Sequence, residues 1–200
     1  MDTFNIYIIG TGGQGIGLLS EVLLRSADHA CLKVKGVDTH GLAQRGGIVV
    51  SQLRIGDHAY SPIISQNEAD LVIALERHEA LRGTNNALRD GGTLIYYNTV
   101  WQPLDVRLNL SEQVGEEMIG RLCRKRNIRE IKVFKPDLKD ARMQNVVVLA
   151  KACRHKLIPG IKKEHYLQAM DDLMQGKMLE TNVRLFEEEI VSIEESLSPS

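Results

Sequence analysis

The sequence predicts an α/β protein: a mainly parallel sheet with helices on both faces, Rossmann-like but with an interrupted second half, followed by C-terminal helices. Three observations carry this prediction. Short apolar runs, such as those ending at Ile9, Leu75 and Asn98, alternate with stretches of helical period, the pattern of strands covered on both faces. A glycine-rich stretch, Gly10 to Gly15, joins the first such run to a helical pattern. The last fifty residues carry helical spacing alone.

The elements follow in order. Residues 4–9 read as a buried strand. From Gln14 the apolar residues Ile16, Leu18, Leu19, Val22, Leu23 and Ala27 recur at helical spacing, so a helix is expected over 14–30. A second strand is expected at 31–37. The polar, glycine-rich stretch 39–47 has no helical period, and 48–56 reads as a third strand closed by a turn at 56–58. Strands are expected at 70–75 and at 93–98, the latter entered through a turn at Asp90-Gly91-Gly92. A further strand is placed at 129–135, and helices at 77–82, 111–127, 140–156, 162–175 and 178–195. The whole chain, 1–200, is read as a single domain with a helical appendage at about 140–196, and 196–200 as a frayed tail.

Composition narrows the function classes. The chain has 200 residues, 43% hydrophobic and 26% charged, with a formal net charge of −1. That is long enough to bury a core, and it lacks the basic field expected of a nucleic-acid or anionic-membrane binder. No apolar run approaches the roughly 18 residues that span a bilayer, and the N-terminus lacks a basic leader region. Cys31, Cys123 and Cys153 are far apart and form no CxxC pair, so neither a four-cysteine iron–sulfur cluster nor a structural zinc is expected. Buried thiols in a reducing cytoplasm are the plain reading.

Gly10-Thr11-Gly12-Gly13-Gln14-Gly15 matches G-x-G-x-x-G between a strand and a helix. In that fingerprint the glycines permit a tight turn, backbone approach to a pyrophosphate and close helix packing, and the helix N-terminus offers free N–H groups. Asp38 stands where the ribose-binding acid would be, at the end of the second strand. No crossover helix follows it; the chain enters residues 39–47 and another strand. Three readings stay open: a dinucleotide site, contact with an anion or nucleotide tail, and a purely structural turn. A Walker A loop is excluded because no Lys-Ser or Lys-Thr pair follows. Gly56-Asp57-His58 lacks the downstream asparagine of a thiamine diphosphate magnesium site.

Residues 39–47, Thr-His-Gly-Leu-Ala-Gln-Arg-Gly-Gly, complete a pattern. GTGGQGIG, some twenty-five residues, then HGLAQRGGIVVSQLRIG resembles the gamma subunit or gamma domain of 2-oxoacid:ferredoxin oxidoreductases. The similarity is closest to the beta (small) subunit of the indolepyruvate branch, whose loop usually has Met where this chain has Leu42, a volume-conserving change. MQNVVVLAKAC at 143–153 and ETNVRLFEEEI at 180–190 extend the resemblance over nearly the whole chain. It implies oxidative decarboxylation of a 2-oxoacid to an acyl-CoA with ferredoxin as electron acceptor, in the cytoplasm. Thiamine diphosphate and iron–sulfur clusters would lie in a large catalytic partner subunit, with no cofactor bound tightly by this chain and ferredoxin met through the complex. No nucleic acid and no membrane enter this picture. The chain is thus expected to be a non-catalytic small subunit that supports assembly and coenzyme A binding. The alternatives are a gamma subunit for another 2-oxoacid and a free-standing nucleotide-binding regulatory module.

The candidate binding residues are Gly10, Gly12, Gly13, Gln14, Gly15, His40, Gln44 and Arg45. The planar fork of Arg45, beside two glycines, suits a phosphate or carboxylate; its alternative is an ion pair within the fold or at the subunit interface. The other histidines, at 29, 58, 78, 155 and 165, show no ligand spacing and are expected at the surface. Asn145 and Asn182, inside apolar helical patterns, are expected to bond neighbouring backbone. The basic residues between Arg121 and Lys135 read as a solvated face, or more sharply as a docking patch.

Overall fold

The computed structural model describes residues 2–40, 47–100 and 114–192, with the backbone alone at Thr39 and His40. Six strands form one sheet: β1 (Phe4–Thr11), β2 (Val34–His40), β3 (Ile48–Ile55), β4 (Ala69–Ala74), β5 (Leu88–Tyr97) and β6 (Arg129–Val133). Their order is β2-β3-β1-β4-β5-β6. β1, β4, β5 and β6 are parallel, and β3 runs against both β1 and β2. The short link from β2 to β3 explains the reversal: it is too short for a crossover, so the two strands pair as a hairpin. β3 then takes the place beside β1, and β2 becomes an edge strand.

Alternation along the strands builds two cores. Ile6, Ile8, Leu71, Ile73, Ile95 and Val133 face one side, where α1 (Ile16–His29), α4 (Gln144–Arg154), α5 (Lys163–Leu173) and α6 (Gly176–Val191) cover them. Ile9, Val72, Ala74, Leu94 and Tyr96 face the other, beneath α2 (Arg77–Asn86) and α3 (Glu116–Lys125). The C-terminal helices share the core of α1: Val147, Met170, Tyr166 and Phe186 are fully or almost fully buried in it. They cover that face of the sheet together with α1.

Several boundaries differ from the sequence expectation. β2 starts at Val34, not residue 31, because α1 ends in a turn with Cys31 at φ 55°. Asp90-Gly91-Gly92 lies inside β5: Ala69 to Leu71 on β4 face Leu88 to Thr93, so the extra residues bulge out of the ladder. The start of the 111–127 helix and the 196–200 tail lie outside the described residues.

Candidate functional site

Helices α1 and α2 leave the carboxyl ends of the adjacent parallel strands β1 and β4 and pack on opposite faces of the sheet. This is the switch point at which open α/β sheets place ligands. Gln14 closes the base of this crevice. Its carboxamide oxygen accepts from Thr11 N–H at 2.7 Å and its amide nitrogen donates to the Leu75 carbonyl at 3.2 Å. The residue is 1% exposed, so its side chain is a strap between β1 and β4. Gly10 makes room for the strap: a Cβ there would stand 2.7 Å from Gln14 Oε1.

Gly15 is the N-cap of α1, in the left-handed region at φ 78°. Asn145, at the start of α4, donates to its carbonyl at 2.8 Å. A Cβ on Gly15 would lie 2.5 Å from the same amide nitrogen. The start of α4 therefore meets Gly15; α1 carries neither a side-chain cap nor an acid in its first turn, whereas α4 continues a 3-10 turn, Ala141–Met143, capped by Asp140. Gly12 N–H donates to the Gly47 carbonyl at 2.8 Å, which fastens the glycine loop to the residue just before β3. The glycine loop and the start of β3 thus meet at one end of the sheet. Gly10, Gly12, Gly13, Gln14 and Gly15 are brought together there, and the backbone of His40 ends β2 beside β3. The His40 side chain, Gln44 and Arg45 lie outside the described residues.

Asp38 does not stand where a ribose acid would. It pairs with Ser51 on β3, which separates β2 from β1 by two strand spacings, about 9.6 Å. Its carboxylate accepts from Ser20 Oγ of α1 at 3.2 Å.

The α2 end is built differently. Glu76, fully buried, accepts from His78 N–H at 3.0 Å and Glu79 N–H at 2.6 Å. His78 is not a surface residue: its side chain is 10% exposed, with Nδ1 3.3 Å from Glu76 and Nε2 accepting from Val114 N–H at 3.3 Å. That places the proton on Nδ1, toward the carboxylate. Arg77 Nε donates to Asn98 Oδ1 at 2.7 Å, and Asn98 passes the chain on to Glu116 at 2.8 Å. The hydrogen bond from Lys132, helped by Asn98, holds the Glu116 carboxyl below its usual range. Glu79 is the uneasy member. Burial pushes it up to about 7, although Arg82 stands 3.1 Å away. The Arg82 guanidinium, half exposed, offsets only part of that burial. A glutamate at the end of an apolar strand, just before a helical pattern, was the available signal for this cap, and sequence reasoning missed it.

The basic residues near α3 are distributed among separate tasks. Arg126 bonds Asp90, and its guanidinium also donates to the Thr84 and Leu88 carbonyls. Lys132 pairs with Glu116, and Lys135 with Glu189. Asn182 donates to Met178 O, one turn back in its own helix, at 2.9 Å.

Among the described residues no three His, Cys, Asp or Glu side chains converge as a metal site. The cysteines do not fit a cluster: Cys123 is buried against the α2–α3 face, where burial pushes its thiol up to about 12, and Cys153 lies on α4 across the sheet. No helix among the described residues is long and apolar enough to cross a membrane.

The profile of the pyruvate ferredoxin/flavodoxin oxidoreductase family matches residues 5–189. The chain belongs to this family. It is 35% identical over 187 residues to a protein of Archaeoglobus fulgidus named indolepyruvate oxidoreductase subunit IorB, covering 90% of each chain. A protein of the same name from Pyrococcus horikoshii is 28% identical, with 99% of this chain and 100% of that one covered. The fold is that of a gamma subunit of a keto/oxoacid ferredoxin oxidoreductase from Geobacter sulfurreducens (TM-score 0.64, 20% identity, 94% and 96% of the chains covered). It also superposes on a 2-oxoglutarate:ferredoxin oxidoreductase from Magnetococcus marinus with TM-score 0.67 at 16% identity, over 94% of this chain and 30% of that longer one. The same fold is thus a separate chain in one neighbour and part of a longer chain in the other.

Proposed function

We propose that the chain is the non-catalytic small subunit of a thiamine diphosphate-dependent 2-oxoacid:ferredoxin oxidoreductase that acts on indolepyruvate or a related aryl pyruvate and forms an acyl-CoA. The large subunit, in the cytoplasm, holds thiamine diphosphate and the iron–sulfur clusters and passes electrons to ferredoxin. The relatives named for indolepyruvate support the substrate class. The observation that supports the site is the 2.8 Å bond from Gly12 N–H to the Gly47 carbonyl, which ties the glycine loop at the uncapped end of α1 to the residue before β3. In this reading Gly10, Gly12, Gly13, Gln14 and Gly15 shape the floor. His40, Gln44 and Arg45 are assigned to contact with coenzyme A or the large subunit. The Gln14 strap and the displaced Asp38 speak against a Rossmann-type dinucleotide cleft, because the crevice base is filled and the ribose acid is one strand too far away.

The test is reconstitution. The chain alone should be colourless and inactive with indolepyruvate, coenzyme A and an electron acceptor, and the complex with the large subunit should reduce ferredoxin only when coenzyme A is present. Turnover or stoichiometric iron and sulfide in the chain alone would contradict the reading. A panel of pyruvate, 2-oxoglutarate and aryl pyruvates decides between the indolepyruvate branch and another 2-oxoacid. Arg45→Glu should lower assembly or turnover and leave the thermal unfolding of the free chain unchanged; normal assembly and turnover would contradict the role given to the loop.

A further inference from the structure

We propose that the α2-side face of β3 and β2 is a docking surface for the large subunit, which lays across it an apolar helix with acidic residues along one flank. This rests on the small-subunit reading and adds to it the surface by which the chain is held. On that side of the sheet α2 and α3 cover β1, β4, β5 and β6. β3 and β2 lie beyond them, and the link from β3 to β4, residues 56–68, crosses this side without forming a helix. The link is fastened over one end of β3. Arg54 donates to the Ser61 and Ile63 carbonyls at 3.2 and 3.4 Å, and the Gln52 side chain accepts from Ile64 N–H at 2.7 Å. The core beneath α2 thins out at this margin. Tyr7, Val50 and Ile64 are only partly buried against it, and Ile48 and Ile63 are 39% and 56% exposed. The strip is two strands wide, about 10 Å, which is the width of one helix.

Charge selects the occupant. The ladder sets Lys35 of β2 directly opposite Arg54 of β3, so both side chains stand on one face. It is the α2 side, because the next residue, Gly36, faces Leu24 of α1. Like charges opposed across a ladder are unfavourable. Arg54 bonds only neutral oxygens, those of Asn5, Ser61 and Ile63, and Lys35 has no hydrogen bond or ion pair among the described residues. The neighbouring Lys33 and Arg82 are already paired, with Asp57 and Glu79. An acidic flank on the partner answers the two uncompensated cations. A second copy of this chain, docked face to face about a two-fold axis, would set the same cations against each other. Exposed apolar side chains beside an open core mark a lasting contact rather than a brief encounter, which favours the large subunit over a transient electron acceptor. The strip also begins at Ile48, next to Gly47, so it runs on from the glycine-loop end of the sheet.

The experiment uses the full chain and its complex with the large subunit. Ile63→Glu and Lys35→Glu, both at exposed positions, should each weaken assembly by roughly tenfold in Kd. Lys35→Arg, which keeps the charge, and Met178→Glu, exposed on α6, should assemble as the unaltered chain does. A second reading does not depend on a charged variant. The thiol introduced by Ile63→Cys in a Cys31→Ser background should react with maleimide in the free chain, and roughly tenfold more slowly in the complex. Normal assembly of Ile63→Glu or of Lys35→Glu, or equal labelling in the free chain and the complex, overturns the proposal; the small-subunit reading then stands, because the complex still forms. Slow labelling in the free chain at every concentration would mean that the chain covers this face itself, and labelling that slows as the chain is concentrated would mean that a second copy does. Either result overturns the proposal. If the unaltered chain forms no complex with the large subunit, the small-subunit reading fails and this surface falls with it.

Discussion

The two helices that flank the switch point begin in opposite ways. α2 is capped from within: Glu76 takes two of its free N–H groups, and Glu79 places a second acid in the first turn. α1 begins with Gly15, has no side-chain cap and carries no acid in its first turn. A helix N-terminus holds about half a positive charge. At α2 that field is answered by the protein's own carboxylates, and at α1 it faces outward. The same local geometry, a strand running into a helix, therefore serves the fold at one site and is left open at its neighbour. Sequence composition explains the division, since five glycines between Gly10 and Gly17 replace the side chains that would have closed the α1 end.

The comparison breaks most visibly at the cap. Glu76→Ala removes the acceptor for two N–H groups in a fully buried setting, and should cost about 3 kcal/mol of stability, read as a lowered urea midpoint. A loss below about 1 kcal/mol would mean that α2 does not depend on this carboxylate. Gly15→Ala follows, at about 2 kcal/mol, because alanine is strained at φ 78° and its Cβ meets Asn145. Denaturant unfolding checks it, and an unchanged midpoint would contradict the contact between the two helix ends.

Glu79 sharpens the comparison through pH. Its carboxyl is raised from the usual 4.5 to about 7 in the folded chain, so the folded state binds this proton more tightly than the unfolded chain does. Its contribution to stability is therefore full below pH 4.5 and falls as pH rises toward 7, by roughly 3 kcal/mol, then levels off. Glu79→Gln should flatten this slope and raise Tm at pH 8; an unchanged pH profile would remove Glu79 from the account. The smallest effect is expected at the open end. Gly17→Ala should stabilise the free chain by about 0.5–1 kcal/mol, and a destabilised free chain would show that the fold itself needs this glycine.

Much of the architecture was legible in the residues. The apolar runs ending at Ile9, Leu75 and Asn98 became β1, β4 and β5, and the helical spacing after Gly15 became α1. The order of the strands was not legible, because a hairpin's choice of neighbour depends on which sheet edge it buries against, and Val49, Leu53 and Ile55 show only that β3 has an apolar side. Asp90-Gly91-Gly92 looked like a turn because local composition cannot separate a turn from a bulge inside a strand. His78 was misplaced for a similar reason: its burial depends on Glu76 and on Val114, 36 residues away. Gln14 reads in the sequence as a binding residue, and only the position of Leu75, 61 residues on, shows that its side-chain amide is bonded inside the crevice.

In the proposed role the α1 end faces a partner or ligand and the α2 end does not. Amide hydrogen exchange on the free chain and on its complex with the large subunit, both with coenzyme A, tests it directly. The N–H groups of Gly13 through Leu18 should exchange at least tenfold more slowly in the complex, and those of His78 and Glu79 should be unchanged. Equal exchange at Gly13–Leu18 in the two states, or protection confined to the start of α2, would contradict the account.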